Sequence, residues 1–543
     1  MRGLDGKFGL GSLKYSLPDP HPQGWGYKNE ARLRGLLDNI GLGSLKYSLL
    51  FGLAWGIGYH GIALFWITGI HPMTWLGVPW LASLAIALFC WIFITLWGAS
   101  LVVAWSAGMK MAISSGGMSQ GTFQIALLRV LMGVAFWCVL EGLWSTGSLW
   151  WTSLSFTQSP DNLAILQLGK ISGHNTITAA IVAVNGLIAE TFAPTLKGGA
   201  TGTKCSPLRT RFSARASGCA ACAGFNASSY WKYLSLAAGL LLTLHMAGFF
   251  MYSRPLHDRP ADALKVGIVQ GNIPNEIKLY TAGGRRALSG YTRGYKILAA
   301  QGVDAVLIPE TALPFVWTAQ NNSSFNQAIR DSGAIAWVGA FGQQGNSLTN
   351  SLFTVTGTGD IFSRYDKIKL VPLGEFIPFE QFLGKLIDRL SPLDAHLVAG
   401  KAEQLFDTPF GRAIAAICYD SAFAEVFRLQ AAAGGQFILT AANNAHYSAT
   451  MPAQHHAQDV MRAIETDRWA VRATNTGYSA IVDPHGRTVW ISGINTYEIH
   501  AATIYPRQTQ TLYVHWGDWL TPVLVGLAAL GFLAWQRSQQ LDS

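Results

Sequence analysis

The segment Ala413–Asp420 reads Ala-Ile-Ala-Ala-Ile-Cys-Tyr-Asp, so an apolar run ends on a single cysteine, Cys418. This is the only cysteine between Lys265 and the C-terminus. A short, continuous apolar run of this kind indicates a strand buried on both faces. The pattern therefore places a thiol at the end of a core strand, where a cysteine is either an inert core residue or a nucleophile.

Two further reactive groups lie at the edges of apolar runs. Glu310 ends the run 305–310, and Lys367 lies in the segment 364–375 between Glu310 and Cys418. Taken singly, the carboxylate also fits the role of a helix cap or an ion-pair partner. The lysine alone also fits the common case of a side chain that extends its ammonium group to water. Together, a base, a cation and a thiol at strand ends supply the groups needed for acyl transfer through a thioester.

Composition indicates a membrane protein with one large water-soluble portion. Half of the 543 residues are hydrophobic and only 13% are charged, against about 25% in soluble domains. The charge deficit falls in residues 1–255 and 519–543. The net charge is +9, but the basic residues lie mostly in short loops beside apolar segments, which favours membrane orientation over nucleic-acid binding.

Six apolar stretches are long enough to approach the ~20 residues that cross a bilayer. They are Leu49–Ile70, Val78–Trp105, Phe123–Trp144, Ile171–Phe192, Tyr230–Tyr252 and Leu520–Trp535. With six spans, the basic loops fall on one side, which the positive-inside rule assigns to the cytoplasm. Residues 254–519 are then extracytoplasmic.

This gives four predicted regions: a polar arm over 1–48, a transmembrane region of about five helices over 49–253, a soluble domain over 254–519, and a C-terminal span with a short tail over 520–543. The transmembrane region contains a basic loop at 193–229. The arm carries a repeat, since the sequence of Gly9–Leu17 recurs as Gly41–Leu49, to which we assign no function. Cys219 and Cys222 have CxxC spacing, but no second pair follows, so we predict no metal site.

The soluble portion alternates β-rich runs with helical patterns, which predicts an α/β domain with packed sheets. The predicted strands are Leu264–Gln270, Ala305–Ile308, Ala334–Phe341, Ser351–Thr356, Ala413–Cys418, Phe437–Ala441, Ala470–Ala473, Ser479–Asp483 and Thr511–Val514. The predicted helices include Arg285–Gln301, Ser324–Ser332, Ala422–Gly434 and Ala453–Glu465.

Several of these segments resemble the Glu-Lys-Cys motifs of the nitrilase, or carbon–nitrogen hydrolase, superfamily. Together with the membrane spans, they resemble its apolipoprotein N-acyltransferase branch over roughly residues 45–535. The resembling segments are 269–274, 308–314, 365–378, 417–420, 443–447, 454–455, 462–465 and 472–477. The resemblance implies an extracytoplasmic α-β-β-α sandwich beside a bundle of membrane helices. The family usually has eight spans, and here the polar arm stands where the first two would be.

The resemblance also implies roles for the residues. Cys418 would be the nucleophile, Glu310 the general base, and Lys367 the cation that stabilises the oxyanion. Glu375 matches a supporting acid, backbone N–H groups near Tyr419 would assist, and Asp420 stands where the family commonly has glutamate.

The implied partners are a phospholipid acyl donor, a diacylglyceryl apolipoprotein acceptor and the bacterial cytoplasmic (inner) membrane, with the catalytic domain on the periplasmic side. We expect a monomer with no cofactor, no metal and no nucleic-acid partner.

Two other readings stay open on the sequence. A membrane-tethered amidase would hydrolyse a small amide with water as acceptor, and a non-enzymatic assembly factor would retain only the fold. The apolar segment Phe376–Leu390 is either a lid facing the bilayer or a surface helix.

Overall fold

The structure of the protein is a computed structural model that describes residues 42–115, 118, 122–198, 227–318, 320–376, 397–445 and 447–541. The described residues before the first strand are largely helical, and apolar residues dominate the long helices among them. The helices before the first strand are α1 (Leu42–Ala63), α2 (Trp80–Ser115), α3 (Phe123–Ser145), α4 (Leu163–Leu166), α5 (Gly169–Ser172), α6 (His174–Gly198) and α7 (Ala227–Tyr252).

Five helices of the described chain are long and apolar enough to cross a membrane. These are α2, α3, α6, α7 and the last helix, Leu520–Leu541. The first predicted span is divided, because α1 ends at Ala63 and a separate 3-10 helix covers Phe65–Ile70. Helix α1 also begins within the predicted polar arm and is outside the set of five, so its crossing of the membrane stays a prediction.

Other sequence predictions fall wholly or largely outside the described residues. These are the N-terminal arm up to residue 41 with the first copy of the repeat, the cysteine pair Cys219 and Cys222 with most of the basic loop, and all of the predicted lid beyond Phe376.

The soluble portion contains two sheets. A seven-stranded sheet has the order β13-β1-β2-β4-β5-β6 with β3 paired to β4, and a six-stranded sheet has the order β12-β11-β10-β9-β8-β7. The strands are β1 (Leu264–Gln270), β2 (Ala305–Leu307), β3 (Leu313–Val316), β4 (Ile335–Gln344), β5 (Ser347–Val355), β6 (Ile361–Asp366), β7 (Phe406–Thr408), β8 (Gly411–Ile417), β9 (Ile438–Ala442), β10 (Ala470–Thr474), β11 (Ala480–Val482), β12 (Thr488–Ile491) and β13 (Glu498–Ile504).

Helices cover the outer face of each sheet. The remaining helices are α8 (Asn275–Lys278), α9 (Thr281–Ala300), α10 (Ser324–Ser332), α11 (Ala424–Ala432), α12 (Thr450–Thr466), α13 (Leu512–Trp516) and α14 (Leu520–Leu541). One apolar core lies between the sheets and joins Ile268 and Trp337 to Ile417 and Leu439. A second core packs α9 and α10 against the first sheet, and a third packs α11 and α12 against the other. The predicted α-β-β-α sandwich is therefore confirmed.

The third core also contains side chains of the membrane region, among them Trp66, Trp151 and Leu166. The helix-bearing half and the sandwich thus share buried apolar surface. That surface lies on the α11–α12 side of the sandwich, so the helix-covered face of the six-stranded sheet is the one nearer the membrane region.

One predicted strand is wrong: in Thr511–Val514, Thr511 caps α13 and the other three residues lie in that helix and not in a sheet. The Thr511 hydroxyl accepts a hydrogen bond from the Val514 N–H at 3.1 Å, which caps the start of a helix. Gly517, with a positive φ of 66°, ends the same turn. A β-rich composition was therefore overridden by a local cap at one end and a glycine at the other.

Candidate active site

The three predicted catalytic residues follow three different strands. Glu310 lies beyond β2, Lys367 directly follows β6, and Cys418 directly follows β8. Their exposed fractions are 7%, 1% and 6%. Two strands belong to one sheet and the third to the other, so the two sheets must pack face to face before these groups can meet.

Lys367 joins two carboxylates. Its Nζ lies 2.9 Å from Glu310 Oε1 and 2.9 Å from Glu375 Oε2. Burial opposes a charge on this amine, but the two carboxylates outweigh burial and raise the pKa of Lys367 well above its ordinary value. The lysine is therefore a fixed cation. The structure brings the predicted supporting acid, Glu375, into the same cluster.

An amide that sequence reasoning missed completes this cluster. Asn350 Nδ2 donates to Glu310 Oε1 at 2.7 Å and to Glu375 Oε1 at 2.9 Å. The sequence signal was the polar run 349–351 inside the buried strand β5, since buried polar side chains need partners. Gly339 of β4 passes so close to Pro309 O that any side chain there would collide with the turn that carries Glu310.

The thiol of Cys418 sits on a left-handed backbone turn with φ 49°, at the start of the 3-10 turn Cys418–Ala422. A non-glycine residue in this region is strained, and such strain is concentrated at functional sites. Burial raises the pKa of the Cys418 thiol to about 12, the charge of Glu310 adds to that rise, and Lys367 opposes it. At rest the sulfur therefore carries its proton and needs a base to remove it.

Asp420 and Tyr419 hold this turn from two sides. The Asp420 carboxylate accepts hydrogen bonds from Tyr365 OH at 3.0 Å, Lys369 N at 2.7 Å and Ile417 N at 2.9 Å. The Tyr419 hydroxyl donates to Trp150 O at 2.8 Å. Asp420 therefore ties the turn to the lysine-bearing segment, and Tyr419 ties it to the membrane region.

Replacing Asp420 by asparagine is expected to destabilise the protein. The carboxylate meets three donors, whereas the asparagine amide turns its own NH₂ group toward one of them and leaves donors unpaired. Each buried donor left without a partner costs ~1–3 kcal/mol. Thermal unfolding of the purified protein checks this, with Asp331→Asn on the exposed face of α10 as the control. An unchanged midpoint in the Asp420 variant would contradict this account of the turn.

A buried histidine holds the backbone carbonyl of Cys418. His455 Nε2 lies 2.8 Å from Cys418 O, and its Nδ1 lies 2.6 Å from a guanidinium nitrogen of Arg472. Arginine only donates hydrogen bonds, so Nδ1 accepts and the ring proton is on Nε2, which donates to Cys418. Burial and then the charge of Arg472 keep the pKa of His455 well below its ordinary value, so the ring is neutral. Arg472 is itself paired with Asp459.

Replacing His455 by alanine is expected to lower the stability by ~1–3 kcal/mol, because it leaves the buried Cys418 carbonyl without its donor. It should also slow acylation of Cys418, because the strained turn loses its anchor. The neighbouring variant His456→Ala removes a buried ring that contacts Thr488 instead. Thermal unfolding and the acylation rate, measured on both variants, separate the two effects. Equal acylation rates in the two variants would refute the anchoring role.

Aromatic side chains from both halves of the protein meet beside the turn that carries Cys418. Tyr419 stacks on Trp151 with ring centroids 6.0 Å apart, and Trp66 meets Tyr447 edge to face at 4.8 Å. Both indole N–H groups donate to Gln454 Oε1, at 2.9 Å from Trp66 and 2.7 Å from Trp151. A largely apolar cavity of about 540 Å³ extends from Trp66 between α1 and α2. The site is thus bordered on this side by groups that suit an apolar substrate.

Groups of three or more histidine, cysteine or acidic side chains that are able to hold a metal ion do not occur within the described ranges.

Two family models match the chain in consecutive regions. The N-terminal domain of apolipoprotein N-acyltransferases matches residues 37–187, and the carbon–nitrogen hydrolase domain matches residues 265–512. A protein of Nostoc sp. named apolipoprotein N-acyltransferase is 58% identical over 91% of this chain and 92% of its own. A protein of the same name from Synechocystis sp. is 48% identical over 89% of each chain.

Among solved structures, an amidase double mutant from Nesterenkonia sp. AN1 in complex with acrylamide is similar to this chain with a TM-score of 0.35 and 16% identity. That likeness covers 45% of this chain and 92% of the amidase. The two family matches and the identities above carry the assignment, and they extend over both the membrane region and the sandwich. This chain belongs to the apolipoprotein N-acyltransferase family, within the carbon–nitrogen hydrolase superfamily.

Proposed function

We propose that this protein transfers a fatty acyl chain from a phospholipid to the N-terminal amine of the diacylglyceryl-cysteine of an apolipoprotein, through a thioester on Cys418. The observation that carries the proposal is the buried cluster in which Lys367 bridges Glu310 and Glu375 and whose charges act on the Cys418 thiol. Membership of the family and the apolar cavity beside Trp66 support a lipid acyl donor.

In the first half-reaction, Glu310 takes the proton of the Cys418 thiol as the sulfur attacks the ester carbonyl carbon. The negative oxygen of the tetrahedral intermediate is stabilised by the Lys367 ammonium group and by backbone N–H groups near Tyr419. The C–O bond then breaks. The departing lysophospholipid oxygen receives the proton from Glu310, and the acyl chain remains on the sulfur.

In the second half-reaction, the neutral amine of the lipoprotein attacks the thioester carbonyl carbon. Glu310 accepts a proton from the nitrogen, the C–S bond breaks, and the proton returns to the thiolate. Burial supports both steps, because excluding water protects the thioester from hydrolysis. The high pKa of the resting thiol supports the need for an adjacent base.

We assign catalysis to residues 254–519 and place that domain on the periplasmic side of the bacterial inner membrane. The sandwich strands, Leu264 to Ile504, lie between α7 and α14, so a helix long enough to span the bilayer precedes and follows them. This arrangement supports a catalytic domain held at the lipid surface from both ends. We propose that the protein acts as a monomer.

The amidase alternative uses the same cluster with water as acceptor, and the assembly-factor alternative uses none of it. An acylation assay separates them. Purified protein is incubated with phospholipid vesicles and a synthetic diacylglyceryl lipopeptide, and the peptide mass is followed. A gain of one fatty acyl chain supports the proposal. Turnover of small amides with no gain in lipopeptide mass would favour the amidase, and neither activity would favour the assembly factor.

A further inference from the structure

A second buried lysine lies against the backbone of Glu310. Lys278 ends the short helix α8 and is 4% exposed. Its Nζ donates to Glu310 O at 3.1 Å and to Thr311 Oγ1 at 2.8 Å. The acyl-transfer steps above do not use this residue, and an ammonium group without a function is costly to bury.

The two acceptors of the Lys278 hydrogen bonds belong to a strained turn. Thr311 has a φ of 40°, in the left-handed region that β-branched residues avoid. Holding both the Glu310 carbonyl and the Thr311 hydroxyl with one ammonium group fixes the backbone on either side of that strain. The direction of the Glu310 carboxylate, which projects from this turn, is fixed with it.

The balance of charges in the cluster also supports a role for Lys278. The ionisable groups that act on Lys278 are Glu310, Cys418, Lys367 and Glu375. With the thiol protonated, two carboxylates then face two ammonium groups and the cluster is neutral. If Lys278 were uncharged, the cluster would hold an excess negative charge, which disfavours ionised Glu310 and the anionic intermediates alike.

We propose that Lys278 is a positioning residue for the acyl-transfer reaction, which anchors the Glu310–Thr311 turn and supplies the fourth charge that keeps the Glu310 carboxylate ionised. This inference rests on the proposed role of Glu310 as the base. The pKa values agree with it. Burial by itself would raise the pKa of Glu310, but Lys367 and Lys278 outweigh burial and lower it. Burial lowers the pKa of Lys278 to about 8, so its charge is present at neutral pH.

The test measures Cys418 acylation by a small activated ester, p-nitrophenyl acetate, as a burst of p-nitrophenol over a range of pH. Lys278→Met removes the charge at similar length, and Lys278→Arg retains it. Lys296→Met, at an exposed position on α9, is the matched control. Thermal unfolding of each variant establishes that it is folded, and Lys278→Gln replaces the methionine variant if that one is not.

We expect the acid limb of the burst rate to move up by about one pH unit or more in Lys278→Met, because a nearby cation lowers a carboxylate pKa by ~1–3 units. The rate at pH 7 should fall about tenfold or more. Lys278→Arg and Lys296→Met should keep the parental acid limb. The inference would be overturned if the acid limb of Lys278→Met lay at the parental pH. It would also be overturned if the acid limb of Lys278→Arg moved as far as that of Lys278→Met.

This readout is independent of the lipid substrates, because p-nitrophenyl acetate needs neither phospholipid nor lipopeptide. Suppose that the parental protein shows the burst and that the acid limb is displaced in Lys278→Met, but that lipopeptide is never acylated. The role of Lys278 then stands and the proposed function fails. If the protein acylates lipopeptide and the acid limb of Lys278→Met lies at the same pH as that of the parental protein, the proposed function stands and the inference fails.

Discussion

Cys418→Ala is expected to abolish acyl transfer, with a loss of about 10⁴-fold or more, because no other group in the site is able to form the thioester. The substitution removes one sulfur atom from a buried turn and leaves the ion pairs of Lys367 in place. The protein should therefore remain folded. Lipopeptide acylation measured by mass gain, together with thermal unfolding, checks both parts of the expectation.

Cys90→Ala is the matched control for this prediction. Cys90 is a free cysteine on α2 that is only partly buried, and it lies outside the Glu310–Lys367 cluster. Its loss should leave the acylation rate within about twofold of the parental rate, as is usual for substitutions away from the special features of a protein. Acylation at the parental rate in the Cys418 variant would remove the nucleophile from the account.

Glu310→Gln is expected to slow acyl transfer by ~10²–10⁴-fold, which is the usual contribution of a general base. Glutamine has the same shape, and its oxygen is able to accept from Lys367 and Asn350 as the carboxylate does. Lys367 also retains Glu375 as a carboxylate partner. The change should therefore affect proton transfer far more than folding.

The measurement for Glu310→Gln is the rate of Cys418 acylation by phospholipid, followed by intact mass. Glu276→Gln, at an exposed position on α8, serves as the control and should behave like the parental protein. If the Glu310 variant acylated Cys418 at the parental rate, the proton of the thiol would have to leave by another route and the role of Glu310 as base would be untenable.

The main features of the sandwich were predictable because its strands are buried on both faces. Such strands read as continuous apolar runs, and β1 at Leu264–Gln270 was predicted to the residue. Five strands that are short or only partly buried were missed, namely β3, β6, β7, β12 and β13. In β12, which reads Thr-Val-Trp-Ile, three of the four residues are exposed, so this strand does not follow the pattern of strands buried on both faces.

The candidate site was predictable only in part, for a related reason. Glu310 and Cys418 end apolar runs, which mark the position of a polar group, and Lys367 was predicted from the lysine-bearing segment 364–375 between them. Asn350 lies within a strand, Lys278 is the last residue of a four-residue helix, and His455 lies inside α12. The partners of these three are distant in sequence and become visible only when the two sheets and their helices are packed.

The most direct test of the account follows the covalent intermediate. Purified protein is incubated with phospholipid vesicles, its intact mass is measured, and the modified peptide is identified before and after addition of a diacylglyceryl lipopeptide. We predict an increase of one fatty acyl chain on the peptide that contains Cys418, and its loss when the lipopeptide is acylated. Lipopeptide acylation without any adduct on Cys418, or an adduct that lipopeptide does not remove, would contradict the proposed mechanism.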